Sequence, residues 1–334
     1  MSHKLMLFFV ICLFIMLFST TASASSDKGE NATRKEDRTA IVLACFGTTV
    51  PTAVSSITNI QQEIKKAFPG IPVKITFTSN IIRSVWKKRQ SESQKWLQQG
   101  IPEEILYVKN FIATIGNLLE DGYKDIIVQP GHIYCMEQAH DLKKYVRALA
   151  SIKTLKTKWN PFGKLVMGRP ALGMPGDLYS YREDLEKGLG TLKADVELAR
   201  KQRAALVYMA HGNEHLSTGI YCEAQKKMRQ LYPDVQTYFG SVEGFPALED
   251  VVIAMSHCKS KKVILKPFMI VAGDHATNDM ASDEDGSWKS VLSNAGFEVT
   301  PVLKGLGEND AFAQIFVDHI RDCARDNDIT LVSQ

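Results

Sequence analysis

Three segments of the sequence each place a metal-binding side chain directly after a run of apolar residues. These side chains are His211 in AHGNEH, Glu243 in SVEGFP and His275 in VAGDHATND. Each apolar run is predicted to be a buried strand, and residues that follow parallel strands reach the ligand-binding edge of the sheet. Two neutral imidazoles and one carboxylate suit a divalent cation such as cobalt, nickel, iron or zinc. The three residues are therefore the predicted metal-binding set.

Each of these residues also has a structural explanation. A histidine after a strand is often only hydrogen-bonded, and Glu243 alone could cap a helix beginning near Phe245, where the helix dipole favours an acid. The occurrence of all three on three loops favours a metal site. The acids that surround His275, such as Asp274 and Asp279, are predicted to cap and solvate the next helix, and one of them could orient His275.

Polar groups also follow a predicted strand in the first half of the chain. His132, Glu137 and His140 come after the strand that ends at Pro130, and they are predicted to face the His275 loop across a cleft. Helix capping by Glu137 and a solvated His140 is the alternative. Arg83 begins a basic run on a predicted helix. Such a run is usually a solvated surface, but guanidinium groups also pair with the carboxylates of acidic ligands.

The elements that must position these groups alternate between β-branched apolar runs and amphipathic stretches, which is typical of βαβ units. Strands are predicted at about 40–46, 72–78, 125–130, 163–167, 204–210, 235–241, 262–270 and 297–302. Segment 41–47 resembles 207–212, and segment 127–132 resembles 264–269. We therefore predict an α/β fold of two similar lobes with parallel sheets and a cleft between them. The predicted N-terminal lobe is 39–160 and the metal-binding C-terminal lobe is 161–304, with a C-terminal helix, 305–330, packing back on the first lobe.

The N-terminus has the pattern of an export signal. A basic start precedes the apolar run 5–18 and the small residues Ala22, Ser23 and Ala24. This run is shorter than the ~20 residues that a membrane-spanning helix needs. We predict a cleaved signal peptide at 1–24, a disordered leader at 25–38 and a periplasmic location.

The remaining composition excludes some functions. The net charge is +3 and the basic residues are interspersed with acids, so no nucleic-acid surface is predicted. Five cysteines follow the signal peptide, and their spacing matches no zinc motif. They are predicted to be mostly buried free thiols.

Four segments together resemble a known family, the anaerobic-type sirohydrochlorin cobaltochelatases of the class II chelatase group. They are VYMAHGNEH, SVEGFPALEDV, KPFMIVAGDHATNDMASDEDGSW and IIVQPGHIYCMEQ. The resemblance implies two flavodoxin-like lobes with the macrocycle in the cleft, His211 and His275 as metal-binding and catalytic histidines, Glu243 completing the site, and Glu137 across the cleft. The chain departs from the family at Gly131, where a leucine is common, and at 134–136, where a Pro-Gly pair is common.

The resemblance also implies partners. Sirohydrochlorin and Co²⁺ are the expected substrates, with Fe²⁺ or Ni²⁺ as variants, and a homo-oligomer is expected. Some exported relatives hold haem between subunits, and His140 is the candidate haem ligand here. The predicted function is thus cobalt insertion into sirohydrochlorin for cobalamin biosynthesis, with release of two protons. The alternatives are an exported haem- or metal-binding carrier on the same scaffold and, less favoured, a two-lobed periplasmic solute-binding protein, which would not need the metal-binding set.

Overall fold

The structure is a computed structural model that describes residues 38–216 and 218–331. The predicted signal peptide, 1–24, lies outside the described residues, and so does the predicted leader apart from Arg38. That residue begins the first strand, and its guanidinium donates to the carbonyl oxygen of Asp121 at 2.6 Å. Within these two ranges, no helix combines the length and apolar character needed to cross a membrane.

The described residues form two four-stranded sheets in which every pairing is parallel. The N-terminal sheet has the strand order β2-β1-β3-β4, and the C-terminal sheet repeats it as β6-β5-β7-β8. The strands are β1 Arg38–Cys45, β2 Val73–Phe77, β3 Tyr123–Gly131, β4 Lys164–Met167, β5 Ala205–Gly212, β6 Thr237–Glu243, β7 Lys262–Phe268 and β8 Glu298–Pro301. The predicted fold class, two similar parallel α/β halves, is confirmed.

The division between the two halves lies later than the sequence suggested. Strand β4 follows residue 160, yet it pairs with β3 and completes the N-terminal sheet. The first strand of the other sheet begins only at Ala205. A division at 160/161 would therefore separate β4 from its own sheet. The four-residue strand KLVM is too short for its sequence to indicate which sheet it joins.

Helices connect the strands and cover the sheets. Those described are α1 Val54–Ala67, α2 Asn80–Arg89, α3 Ser93–Gln98, α4 Glu103–Leu106, α5 Phe111–Glu120, α6 Glu137–Ala150, α7 Tyr181–Gly190, α8 Lys193–Gln202, α9 Gly219–Leu231, α10 Leu248–Met255, α11 Trp288–Asn294 and α12 Asp310–Asp326. The last helix, α12, packs against α1 and β3. The chain therefore returns to the N-terminal sheet after completing the C-terminal one.

One hydrophobic core joins the inner faces of both sheets. Leu43 of β1, Tyr208 of β5 and Phe316 of α12 all belong to it and are fully buried. Each sheet has a second core on its other face, under α5 and α6 in the N-terminal half and under α10 and α11 in the C-terminal half. Burial on both faces explains why β1 and β5 have almost unbroken apolar sequences.

A buried ionic cluster ties α7 and α12 to the loop after β4. The Arg169 guanidinium donates to both Asp184 carboxylate oxygens, at 2.6 and 3.0 Å, and lies 2.9 Å from Asp322. His319 of α12 lies 3.2 Å from Asp184 through Nε2. Burial alone would raise the pKa of Asp184, but the hydrogen bonds from His319 and Arg169 hold it below its usual range. The cluster fixes the crossover between the halves.

The five cysteines within the described residues are free, as predicted. Cys45, Cys135 and Cys323 are buried, whereas Cys222 is exposed. Burial raises the pKa of the Cys45 thiol to about 12, so it stays protonated. Cys45, Cys135 and Cys323 therefore act as core residues, and none of the five cysteines in the described residues belongs to a disulfide.

Candidate functional site

A cavity of about 380 Å³ lies where the carboxyl ends of both sheets meet. Most of its lining comes from the last residues of β1, β3, β5, β6 and β7 and from the segments that follow them, with Ile57 of α1 and Tyr221 of α9. Most of its walls are apolar, formed by residues such as Phe46, Ile133, Tyr134 and Phe268. Parallel sheets bind ligands at this edge, and ligand sites are typically apolar with a few convergent polar groups. The cavity is therefore the candidate functional site.

His211 and Glu243 reach this cavity because β5 and β6 end side by side. Gly212 pairs with Glu243, and the Asn213 backbone N–H donates to the Glu243 carbonyl at 3.1 Å. Gly212 has a φ of +82°, and a Cβ at this position would lie 1.7 Å from the Glu243 carbonyl oxygen. Only glycine allows this approach. As a result, His211 Nδ1 lies 3.8 Å from Glu243 Oε2.

His275 approaches the same point from the segment that follows β7. Its ring centroid is 4.9 Å from that of His211, and the two rings meet edge to face at 86°. His275 directly precedes a π-helical turn, Ala276–Met280, a feature that is frequent at functional sites. Its Nδ1 lies 2.5 Å from Asp279 Oδ2, one turn further along. Asp279 thus orients His275, as one of the nearby acids was proposed to do.

The three predicted residues are neighbours and are open to solvent. The side chains of His211, Glu243 and His275 are 43%, 37% and 38% exposed. His211 Nδ1 lies 3.2 Å from the Gly212 carbonyl oxygen and His275 Nδ1 faces Asp279, which leaves the Nε2 atom of each ring for a cation. Imidazole Nε2 atoms and a carboxylate suit cobalt, nickel, iron or zinc.

These side chains do not form a closed metal site in the structure. Among the described residues, no group of three or more His, Cys, Asp or Glu side chains is arranged to hold a metal ion. The edge-to-face contact of the two imidazoles and the position of Glu243 beside Nδ1 of His211 account for this. Three-ligand binding would require side-chain rotation. The two histidines and the glutamate are neighbours, and their metal-binding role stays a prediction.

The opposite wall comes from the segment between β3 and α6. Glu137 begins α6 and lines the cavity, as expected of a residue across the cleft. His140 is exposed one turn further along α6 and is not part of the described lining. Its role as a haem ligand stays a prediction.

Arg83 does not reach the cavity. Its guanidinium donates to the backbone carbonyls of Phe77 and Thr78 and to the side chain of Asn80. Arg89, from the same basic run, packs over Trp86 and Trp96 and donates to the Thr49 carbonyl. Both guanidinium groups thus stabilise the local fold around their own helix. The contacts of Arg83 do not support the prediction that it meets an acidic ligand.

The sequence predicts that His132 faces the cleft and indicates no chemistry for it. It lines the cavity, and both of its ring nitrogens are buried without a hydrogen-bond partner. Burial lowers the pKa of His132 to about 4, so the ring is neutral. Its position directly after β3 was the only signal in the sequence.

The chain matches known proteins over most of its length. The family model described as cobalt chelatase (CbiK) matches residues 39–325. A sirohydrochlorin cobaltochelatase (CbiKC) of Nitratidesulfovibrio vulgaris is 28% identical over 280 residues, covering 84% of this chain and 88% of the relative. The sirohydrochlorin cobaltochelatase of Salmonella typhimurium is 29% identical over 283 residues, covering 84% and 94%.

Solved structures show the same fold. SirB from Bacillus subtilis with Fe³⁺ has a TM-score of 0.55 at 12% identity, covering 87% of this chain and 97% of that one. The sirohydrochlorin chelatase SirB from Bacillus subtilis subspecies spizizenii in complex with cobalt has a TM-score of 0.52, also at 12% identity and with the same coverage. The family match extends over both sheets and every segment that lines the cavity, and the chain belongs to the cobalt chelatase (CbiK) family.

Proposed function

We propose that this protein is a sirohydrochlorin cobaltochelatase, which inserts Co²⁺ into the macrocycle and releases two protons. The observation that carries the proposal is the meeting of His211, Glu243 and His275 beside an apolar cavity between two parallel sheets. The names of the two relatives and the family match support it.

The reaction breaks two inner N–H bonds of the free-base ring and forms bonds from the four ring nitrogens to the cation. The Nε2 atoms of His211 and His275 would hold the cation at the mouth of the cavity. As the ring nitrogens replace them, each of the two protons passes to Glu243 or to a freed imidazole, a task for which both groups are suited near neutral pH. The half-exposed position of Glu243 gives that proton a route to solvent.

Cobalt is the proposed metal because the family and the two relatives carry that name. The side chains alone do not select it, since imidazole and carboxylate also bind Fe²⁺ and Ni²⁺. Rates of insertion of the three metals, measured at equal free concentration, would rank them.

We further propose export to the periplasm through the signal peptide at 1–24, and assembly as a homo-oligomer. The apolar run at 5–18 and the small residues before position 25 support export. Cell fractionation and the mass of the purified mature protein in solution test these two points.

The test of function follows the visible spectrum of sirohydrochlorin after Co²⁺ is added under anaerobic conditions. We expect the wild-type protein to accelerate the change far above the uncatalysed mixture, and His211→Ala and His275→Ala to remove the gain. His257→Ala is the control, because His257 is exposed and outside the cavity lining. Equal rates with and without protein, together with tight haem binding, would favour the carrier instead.

A further inference from the structure

His132 lines the candidate site, and its side chain has no hydrogen-bond partner among the described residues. Both ring nitrogens are shut off from solvent and accept or donate no hydrogen bond among the described residues. A buried polar atom left unpaired is costly, and because most such atoms in native proteins have a partner, an unpaired one indicates a catalytic role or a bound water or ion. The unpaired imidazole lines the same cavity as His211 and Glu243.

The backbone around His132 is fixed, which prevents the ring from finding a partner by moving its loop. The His132 and Ile133 carbonyls accept hydrogen bonds from Ala171 and Leu172, at 3.0 and 2.8 Å. On the other side, Gly131 pairs with Cys45, and a Cβ on Gly131 would lie 2.5 Å from the Cys45 sulfur. The segment is therefore clamped between β1 and the loop after β4.

The ring belongs to the wall opposite the metal-binding side chains. His132 follows β3 of the N-terminal sheet, whereas His211 and Glu243 end strands of the C-terminal sheet. A macrocycle in this cavity would present one face to each wall, and a pyrrole ring tilted out of the macrocycle plane would turn its inner N–H group toward the N-terminal wall. Because the imidazole is neutral, it offers one nitrogen lone pair as a hydrogen-bond acceptor, and rotation of the side chain would turn that nitrogen from its buried position into the cavity.

We propose that His132 accepts a hydrogen bond from an inner N–H group of the metal-free macrocycle, so that the site holds the metal-free ring more tightly than the metallated product. The inference rests on the proposed function. Free-base sirohydrochlorin carries two inner N–H groups, and the metallated ring carries none. Metal insertion therefore removes the partner of His132, which weakens the hold on the product and favours its exchange for fresh substrate. No bond is made or broken at His132 itself.

The test measures the dissociation constants of free-base sirohydrochlorin and of its cobalt complex by absorbance titration of metal-free protein in the presence of a chelator. The wild type should bind the free base about ten-fold more tightly than a His132→Phe variant, the value of one buried hydrogen bond. Affinity for the cobalt complex should be unchanged. His132→Gln, which keeps an acceptor, should retain part of the preference, and His257→Phe should match the wild type.

A second measurement separates ligand binding from a structural role. His132→Phe replaces an unpaired polar ring with an apolar ring of similar shape, so the unliganded variant should be as resistant to urea as the wild type, or more so. If His132 had a structural role instead, the unliganded variant should unfold at a lower urea concentration than the wild type.

The outcomes are distinct. If His132→Phe lowers affinity for the cobalt complex instead, the imidazole is an axial ligand of the metal and the inference is wrong. Equal losses for both rings, or no loss for either, also overturn it. If the wild type binds neither ring, the proposed function itself fails, whereas binding with an unaltered preference in the variant refutes only the role of His132.

Discussion

Gly212→Ala should disable the site by separating the ends of β5 and β6. The added Cβ would lie 1.7 Å from the Glu243 carbonyl oxygen, and contacts of this kind are not tolerated below 3.0 Å. The two strand ends must therefore move apart by on the order of 1 Å, and His211 and Glu243 move with them. Misplacement of catalytic groups by ~1 Å costs about 100-fold in rate.

The same substitution also destabilises the fold. A left-handed φ costs alanine about 1–2 kcal/mol, and loss of the hydrogen bond from Asn213 to Glu243 costs about 1 kcal/mol more. We expect the free energy of unfolding to fall by about 2–3 kcal/mol, measured by urea denaturation. Metallation of sirohydrochlorin should be about 100-fold slower under conditions where the variant remains folded.

Gly100→Ala is the matched control. Gly100 has a φ of +83°, almost identical to that of Gly212, but no atom lies within 4 Å of a Cβ built there. Gly100→Ala should therefore lower the free energy of unfolding by about 1 kcal/mol, through the left-handed backbone alone, and should metallate sirohydrochlorin at the wild-type rate. If Gly212→Ala matched Gly100→Ala in both stability and rate, the close approach of the two strand ends would have no role in building the site.

Two further predictions concern carboxylates. Asp279→Asn should weaken cobalt binding by about ten-fold or more, because the carboxylate that orients His275 through Nδ1 is lost; cobalt titration by absorbance measures this. Asp184→Asn should lower the free energy of unfolding by about 1.5–3 kcal/mol at pH 7, because the buried Arg169 guanidinium loses its bidentate carboxylate and keeps only Asp322 as an ionic partner. Since the pKa of Asp184 is depressed in the folded state, its contribution is present above the unfolded pKa of about 3.9 and is lost as the pH falls through the folded value. Urea unfolding curves between pH 7 and pH 2 should therefore converge for the wild type and the variant.

Each of these has a control. Asp283→Asn removes a nearby acid that pairs with Lys289 rather than with His275, and it should leave cobalt affinity unchanged. Asp234→Asn breaks another bidentate arginine pair, at Arg200, but on the exposed surface, and should change stability little. If Asp184→Asn and Asp234→Asn lowered the free energy of unfolding by similar amounts, burial would not determine how strongly these arginine–aspartate pairs stabilise the fold.

Much of the fold was predictable from local pattern. Strands such as β1, β5 and β7 are buried on both faces, so their apolar runs stand out against amphipathic helices, and all eight predicted strands are present in the described residues. The positions of His211, Glu243 and His275 were predictable for a related reason. His211 and Glu243 lie at the ends of β5 and β6, His275 lies in the segment that follows β7, and the carboxyl ends of parallel strands share one edge of the sheet.

The sequence by itself thus determined the strands, the repeated α/β halves and the residue types at the cavity edge. Burial and the period of each element produce a local pattern of apolar and polar residues that can be recognised in the sequence. Only the tertiary structure decided which sheet β4 joins, that the Arg83 guanidinium donates hydrogen bonds to backbone carbonyls, and that His132 has no hydrogen-bond partner among the described residues. These three features depend on which residues, distant in the sequence, pack against each group in the folded chain. Hydrogen-bond satisfaction and burial are properties of the assembled packing, and no local spacing encodes them.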